Sequence, residues 1–278
     1  MPGPACPHPR KGKHVGMVET IKHLRQRAAE KAMPQRFVFH HVPKCGGTSV
    51  GRALRKRYIL SQTTVTPESS YRAFEAFTGR TDREKMLVDV LDLREQMLLY
   101  HMFEDIRGIS LHVRFSPVAY AQFADSYKFI TILREPVARF ISHYNWSHNK
   151  PHAHANIEQD FESFLDSERA GRLGATFVEY YCGLPKSADI RSDDAIRAAI
   201  ENLQRFSVVG DLSHMDRFER DIRQELGVVI KVNHENKIKS DRNFVSVKYL
   251  SDRALARVRE LCAPDIAVWN AVFPGGTT

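Results

Sequence analysis

The sequence contains no run approaching the ~20 apolar residues that cross a bilayer, and its N-terminus lacks the apolar core of a signal peptide. The expectation is a cytoplasmic protein with no integral membrane segment. Cysteine is scarce: Cys6, Cys45, Cys182 and Cys262 are scattered and form no CxxC pair, so neither a zinc cage nor a disulfide framework is indicated. A reducing compartment fits that pattern. Internal repeats and interdomain linkers are absent. Acidic residues are the minority, 33 against 41 Lys and Arg, giving a net charge of +8. That balance favours anionic ligands such as nucleotides, sulfated or uronic glycans, nucleic acid or acidic membranes, without choosing among them. No nucleic-acid motif or aromatic platform accompanies the charge, so nucleic acid is not an expected partner.

What is present is enough apolar sequence, 42% of 278 residues, to bury a substantial core. Residues 1–14 carry four prolines, two glycines and several basic residues, and are expected to be disordered. Val18, Ile21, Leu24 and Ala28 then recur at helical spacing and predict a short amphipathic helix packed on the domain or on a partner.

The chain is organised around RFVFHHVPKCGGTSVGRALRKRY, residues 36–58. Phe37, Val38 and Phe39 are bulky strand formers, Pro43 stops the run, and Gly46 and Gly47 permit a tight turn. Thr48 and Ser49 stand where a helix should begin, with Val50, Ala53 and Leu54 as its apolar stripe. Strand, glycine turn and helix together direct first-turn N–H groups, a helix dipole, two hydroxyls and the Lys44 ammonium at one small volume. Such a place suits a phosphate-like anion. The order departs from the P-loop of nucleoside triphosphatases, whose lysine follows its second glycine. Here Lys44 precedes both glycines, and Thr48 takes the lysine's place.

A second informative stretch spans residues 109–146. Ile109 to Val113 predicts a short strand, Ser116-Pro117 a helix start, and Tyr127 to Leu133 a buried strand. Arg134 follows at the strand's carboxyl end, ahead of a helix bearing Arg139, Phe140, Ser142, His143 and Tyr144. Alternating strands and helices predict an α/β fold with a parallel sheet, whose ligands gather beyond the strands' carboxyl ends. Arg134 can pair there with a phosphate through two parallel N–H bonds, and Ser142 can add a hydroxyl.

Further helices are predicted from Thr66-Pro67 to Phe77, from a Thr81/Glu84 capping box to Phe103, from Asn156 to Ser167, through GATFVEYYCG, and from Ser192, Ser251 and Pro264. FSVVGDLSHMDRFERDIRQELG reads as strand, turn and helix, and residues 228–232 as another strand. His148, His152 and His154 lie in a loop where no carboxylate or cysteine completes a metal site. Lys237, Lys239 and Arg242 lie in a basic loop at 233–244, as candidates for phosphate contact or as a solvated surface.

PKCGGTS after one strand and LREPVARFISHY after another resemble the sulfotransferases that use 3'-phosphoadenosine-5'-phosphosulfate (PAPS). The motifs look most like those of carbohydrate sulfotransferases acting on heparan and chondroitin hexuronic acids. The likeness runs from about Arg36 to Trp146 and continues more weakly to the C-terminus. It implies a P-loop-like three-layer fold with a central, mainly parallel sheet, occupying residues 35–278 as one catalytic domain after the 1–34 basic tail and helix. It implies that Lys44, Cys45, Gly46, Gly47, Thr48 and Ser49 hold the 5'-phosphosulfate, and that Arg134 and Ser142 hold the 3'-phosphate. His112, in LHVRF, matches the HV-aromatic segment bearing the catalytic histidine, although Arg114 precedes Phe115 here. Lys44 would share the catalysis, no metal is required, and the acceptor would be a carbohydrate hydroxyl. His40 and His41 compete with His112 as the base. VVGDLSHMDRFE resembles a late segment of these enzymes and is read as packing. A nucleotide kinase with an atypical phosphate loop and a non-catalytic binder of anionic glycan or nucleic acid remain as other readings.

Overall fold

The computed structural model describes residues 16–33, 35–83, 85–148, 156–233 and 244–275. At its centre is β1 (Arg36–His40), in which Phe37, Val38, Phe39 and His40 are all sealed from solvent. A strand without a polar face needs cover on both sides, the condition of an inner strand in a parallel sheet. β1 accordingly occupies the middle of a five-stranded sheet of order β2-β3-β1-β4-β5. The others are β2 (Gln62–Val65), β3 (Gly108–Leu111), β4 (Tyr127–Leu133) and β5 (Val208–Asp211). Every pairing is parallel, so the expected α/β fold with a helix-flanked sheet is observed, and the sheet is wholly rather than mainly parallel.

The connections place the chemistry. α1 (Met17–Ala32) precedes β1, and α2 (Gly47–Arg57) follows it. The chain then moves out to β2 and returns through α3 (Pro67–Thr78) and α4 (Leu87–Phe103) to β3, on one side of β1. α5 (Pro117–Phe123) carries it across to β4, on the other side. This reversal of direction makes β1 the switch point of the sheet, where a crevice opens beyond the strand ends. α6 (Pro136–His148), α7 (Phe161–Leu165), α8 (Glu168–Leu173), α9 (Thr176–Tyr181) and α10 (Asp193–Gln204) fill the passage from β4 to β5. α11 (Met215–Leu226) packs on β4 and β5, and α12 (Asp252–Leu261) and α13 (Ala263–Val272) end the chain. The hydroxyls of Thr66, Ser116, Ser192 and Ser251 accept the N–H groups of Ser69, Ala119, Ala195 and Ala254, starting α3, α5, α10 and α12 where their sequence predicts.

One buried pair anchors the helices behind the crevice. Arg139 on α6 and Asp265 on α13 are both fully buried and 3.4 Å apart, and Asp265 also accepts the N–H of Phe177 (2.8 Å) and Val178 (3.3 Å) at the start of α9. The carboxylate thereby serves as cap and counter-ion together, which holds α6 in place.

Several expectations need correction. α4 begins at Leu87 rather than at Thr81, because Asp82 takes the Lys85 N–H at 3.2 Å and forms a turn of its own; Glu84 lies outside the described residues. The helix expected from Asn156 begins at Phe161, with the Asp160 carboxylate accepting the Ser163 N–H at 3.0 Å. Residues 228–232 form no strand: Glu219 of α11 accepts the Val232 N–H at 2.8 Å and ties the segment to a helix instead of the sheet. β2 was not anticipated. In α1 the Ile21 and Leu24 side chains are 58% and 62% exposed, so the domain does not cover that stripe. Residues 1–14, His152, His154, Lys237, Lys239 and Arg242 lie outside the described residues.

Candidate active site

Four strands end on one crevice. His41 follows β1, His112 follows β3, Arg134 follows β4 and Leu212 follows β5, and all four residues line a single cavity of about 1390 Å³. Lysine and arginine outnumber carboxylates on its wall. Of the site residues read from sequence, Lys44, Gly46, Gly47, Thr48, Ser49, His112, Arg134 and Ser142 all line it.

The loop between β1 and α2 is tight. Lys44 adopts φ 68° and Gly46 φ 74°, two left-handed positions separated by one residue. Glycine enters that region freely, whereas lysine pays roughly 1–2 kcal/mol, a strain of the kind found at functional sites. Gly46 packs so closely on Leu212 that a Cβ would sit 2.6 Å from its Cδ1, and at Gly47 a Cβ would fall 1.9 Å from Cδ2 of His41. The glycines are therefore required by close approach as well as by the turn. α2 starts here without a side-chain cap, and the first-turn N–H groups of Gly47, Thr48 and Ser49 have no intrahelical acceptor. Cys45 differs from its neighbours: its side chain is fully buried away from the cavity, and burial pushes the thiol up to about 12. Only its backbone belongs to the anion loop, and its N–H points to the Val42 carbonyl at 3.4 Å.

Across the crevice, Arg134 has no ion pair among the described residues. Its neighbour Glu135 turns away, accepting the N–H groups of Val137 (2.9 Å) and Ala138 (2.7 Å) at the start of α6. The guanidinium is half-buried, and burial lowers its pKa. A partly desolvated cation beside a helix N-terminus is a strong partner for an anion. Ser142 lies on the cavity two turns into α6.

The histidines divide. His40 is fully buried, facing Phe129 (5.8 Å) and Phe206 (5.1 Å), with Nδ1 3.4 Å from the Val113 carbonyl, and burial lowers its pKa to about 4. It is a core residue and is removed from contention as a base. His41, pointing to the other face of the sheet, stacks on His112 with ring centroids 3.8 Å apart. Burial first, then the charges of His112, Arg55 and Lys44, hold His41 well below the ordinary imidazole range. His148 joins the end of α6 to the returning chain, its Nδ1 2.9 Å from the Ile157 carbonyl.

The far wall escaped the sequence reading. Arg94, only 2% exposed, donates to Ser70 Oγ (2.8 Å) and to the His112 carbonyl (3.3 Å), with its guanidinium 5.6 Å from the Tyr71 ring. It thus fixes the backbone that presents His112. Arg83 pairs with Glu75 (2.5 Å) and Glu68 (2.9 Å), and Arg172 with Glu179. Arg114 pairs with Asp92 and does not line the cavity. His143, Trp146 and the Asp211–Met215 turn also line it, so VVGDLSHMDRFE is more than packing. A leucine abutting a glycine loop carries no sequence signal, whereas His143, adjacent to Ser142 on one helix, could have been suspected.

A parallel sheet with a glycine turn and helix after its central strand, and an arginine after the neighbouring β4, defines an α/β architecture with its cavity at the strand ends. The chain matches the sulfotransferase family over residues 32–273 and belongs to it. No curated protein sequence matches it.

Proposed function

We propose that this protein transfers a sulfuryl group from PAPS to a hydroxyl of a carbohydrate. The reading rests on one observation: Lys44 with the Gly46–Ser49 turn, Arg134 and His112 come from the ends of three adjacent strands onto a single cavity. At about 1390 Å³ that cavity exceeds the ~300–1,000 Å³ of an ordinary small-molecule site, leaving room for a nucleotide and an acceptor together.

The roles follow from charge and position. The first-turn N–H groups of α2 and Lys44 cradle the phosphosulfate, while Arg134 and Ser142 take the 3'-phosphate. His112 accepts the acceptor's proton as its oxygen attacks sulfur; the bond from sulfur to the bridging phosphate oxygen breaks, and adenosine 3',5'-bisphosphate leaves with that electron pair. The products are a sulfate ester, the bisphosphate and one proton. By analogy with phosphoryl transfer, most of the acceleration is positioning and charge stabilisation, with Lys44 meeting charge that grows on the leaving oxygen. His41 is the weaker candidate for the base, since its burial and cationic neighbours oppose the proton it would have to take up.

The carbohydrate assignment rests on the likeness of the LHVRF segment to that of the hexuronic-acid enzymes. A cytoplasmic location is supported by the free, buried thiols of Cys45, Cys182 and Cys262. Incubation with PAPS labelled in its sulfuryl group and a panel of glycans and simple alcohols tests the function. Label should move to a glycan hydroxyl; release of label to water alone across the whole panel would reject it.

A further inference from the structure

His143 is a polar group on the cavity to which the reaction described above gives no task. It follows Ser142 on α6, and Trp146 lies one turn on with its ring 6.1 Å away, edge to face. The Lys44 Nζ approaches the same indole, 5.3 Å from its centroid, so the ammonium and the imidazole share one neighbour. The Nδ1 of His143 is shut from solvent and has no hydrogen-bond partner among the described residues. Since the ring lines the cavity, its other nitrogen, Nε2, is the atom that can meet a ligand.

The charged and titratable groups around the ring come from separate elements: Arg139 from α6 itself, Lys44 from the loop after β1, Arg169 from α8 and His112 from the end of β3. Burial first, and then these neighbours, drive the imidazole down to about 3, so it stays neutral at any ordinary working pH. A neutral ring carries one proton. A proton on Nδ1 would be a buried donor without an acceptor, a costlier arrangement than an unused lone pair, so the proton belongs on Nε2. The ring therefore presents a neutral N–H donor beside Lys44.

We propose that His143 is a further catalytic residue, donating a hydrogen bond from Nε2 to a sulfonate oxygen of the donor. This rests on the sulfotransferase reading. The division of labour is chemical: Lys44 supplies charge, His112 removes a proton, and His143 stabilises an equatorial oxygen without releasing a proton to it. Neutral imidazole suits that task, because a donor that cannot ionise near neutral pH stabilises negative charge without being consumed.

The test compares two nucleotides that differ only in the sulfuryl group. Titration calorimetry of the full chain with PAPS and with adenosine 3',5'-bisphosphate gives both affinities. For His143→Phe, PAPS binding should weaken about 3- to 10-fold, the worth of one hydrogen bond, while bisphosphate binding stays unchanged. His143→Gln, which keeps an N–H donor, should recover part of the loss. Transfer rates should fall with no change in the shape of the pH profile. Equal losses for both nucleotides, or no loss for either, would overturn the assignment. Should the phenyl ring disturb Trp146, His143→Leu supports the same comparison. A wild-type chain that binds neither nucleotide would reject the sulfotransferase reading itself, a result distinct from failure of the His143 role.

Discussion

The two ends of the cavity are built on opposite plans. At the loop after β1 the groups proposed to bind the donor come from one run of sequence, Lys44 to Ser49, and include first-turn backbone N–H groups beside two left-handed residues. At the far wall, Arg83, Arg94 and Arg172 are contributed by separate parts of the chain, and Arg83 and Arg172 are already committed to carboxylates. Arg134 at the loop end makes no ion pair among the described residues, and the carboxylate of its neighbour Glu135 accepts N–H groups at the α6 N-terminus. One end thus gathers the groups proposed to attract an anion. The other is a charge-balanced wall, better suited to holding shape and to steadying His112 through Arg94.

That contrast can be broken at graded cost. His112→Ala removes the proposed proton acceptor between the two ends and should cut turnover about 100- to 10,000-fold while nucleotide affinity holds. Steady-state kinetics across pH check this; retained turnover would return the base role to His41. Lys44→Ala should lower turnover about 100- to 1,000-fold with the fold intact. Lys44→Gly sharpens the point: it relieves the φ 68° strain and should raise stability by up to about 1 kcal/mol in denaturant melts, yet be as inactive as the alanine variant. Arg134→Ala should weaken adenosine 3',5'-bisphosphate about 10- to 100-fold by calorimetry, with a smaller effect on turnover at saturation. The smallest effect is expected from Arg83→Ala, where loss of its partly exposed pairs with Glu75 and Glu68 should raise the acceptor KM roughly fivefold or less and leave bisphosphate affinity alone. A large loss of nucleotide binding in that variant would erase the distinction between the two ends.

The same contrast explains what could be read in advance. β1 and β4 were legible because Phe37 to Phe39 and Tyr127 to Leu133 are nearly continuous apolar strand formers, and helix starts at Thr66, Ser116, Ser192 and Ser251 because a hydroxyl caps each. The geometry of the loop after β1 was legible for a related reason: strand, glycine turn and helix start follow one another in a single run of sequence. β2 was not, since Gln62–Val65 is short, polar and at the sheet edge. Residues 228–232 misled because their apolar side chains serve the core from an irregular segment that Glu219 pins to α11. Arg94 could not be foreseen at all. Its role depends on Ser70, Tyr71 and His112 meeting in space, and nothing in the spacing of those residues announces it.

The anion loop remains the central claim, because Lys44 ahead of both glycines separates this chain from triphosphate-binding proteins. Calorimetric titration of the intact chain with adenosine 3',5'-bisphosphate, and separately with ATP and magnesium, tests it most directly. The account predicts binding of the bisphosphate that is markedly tighter than that of ATP and is weakened about 10- to 100-fold in Arg134→Ala. Tight ATP binding with no affinity for the bisphosphate would contradict it.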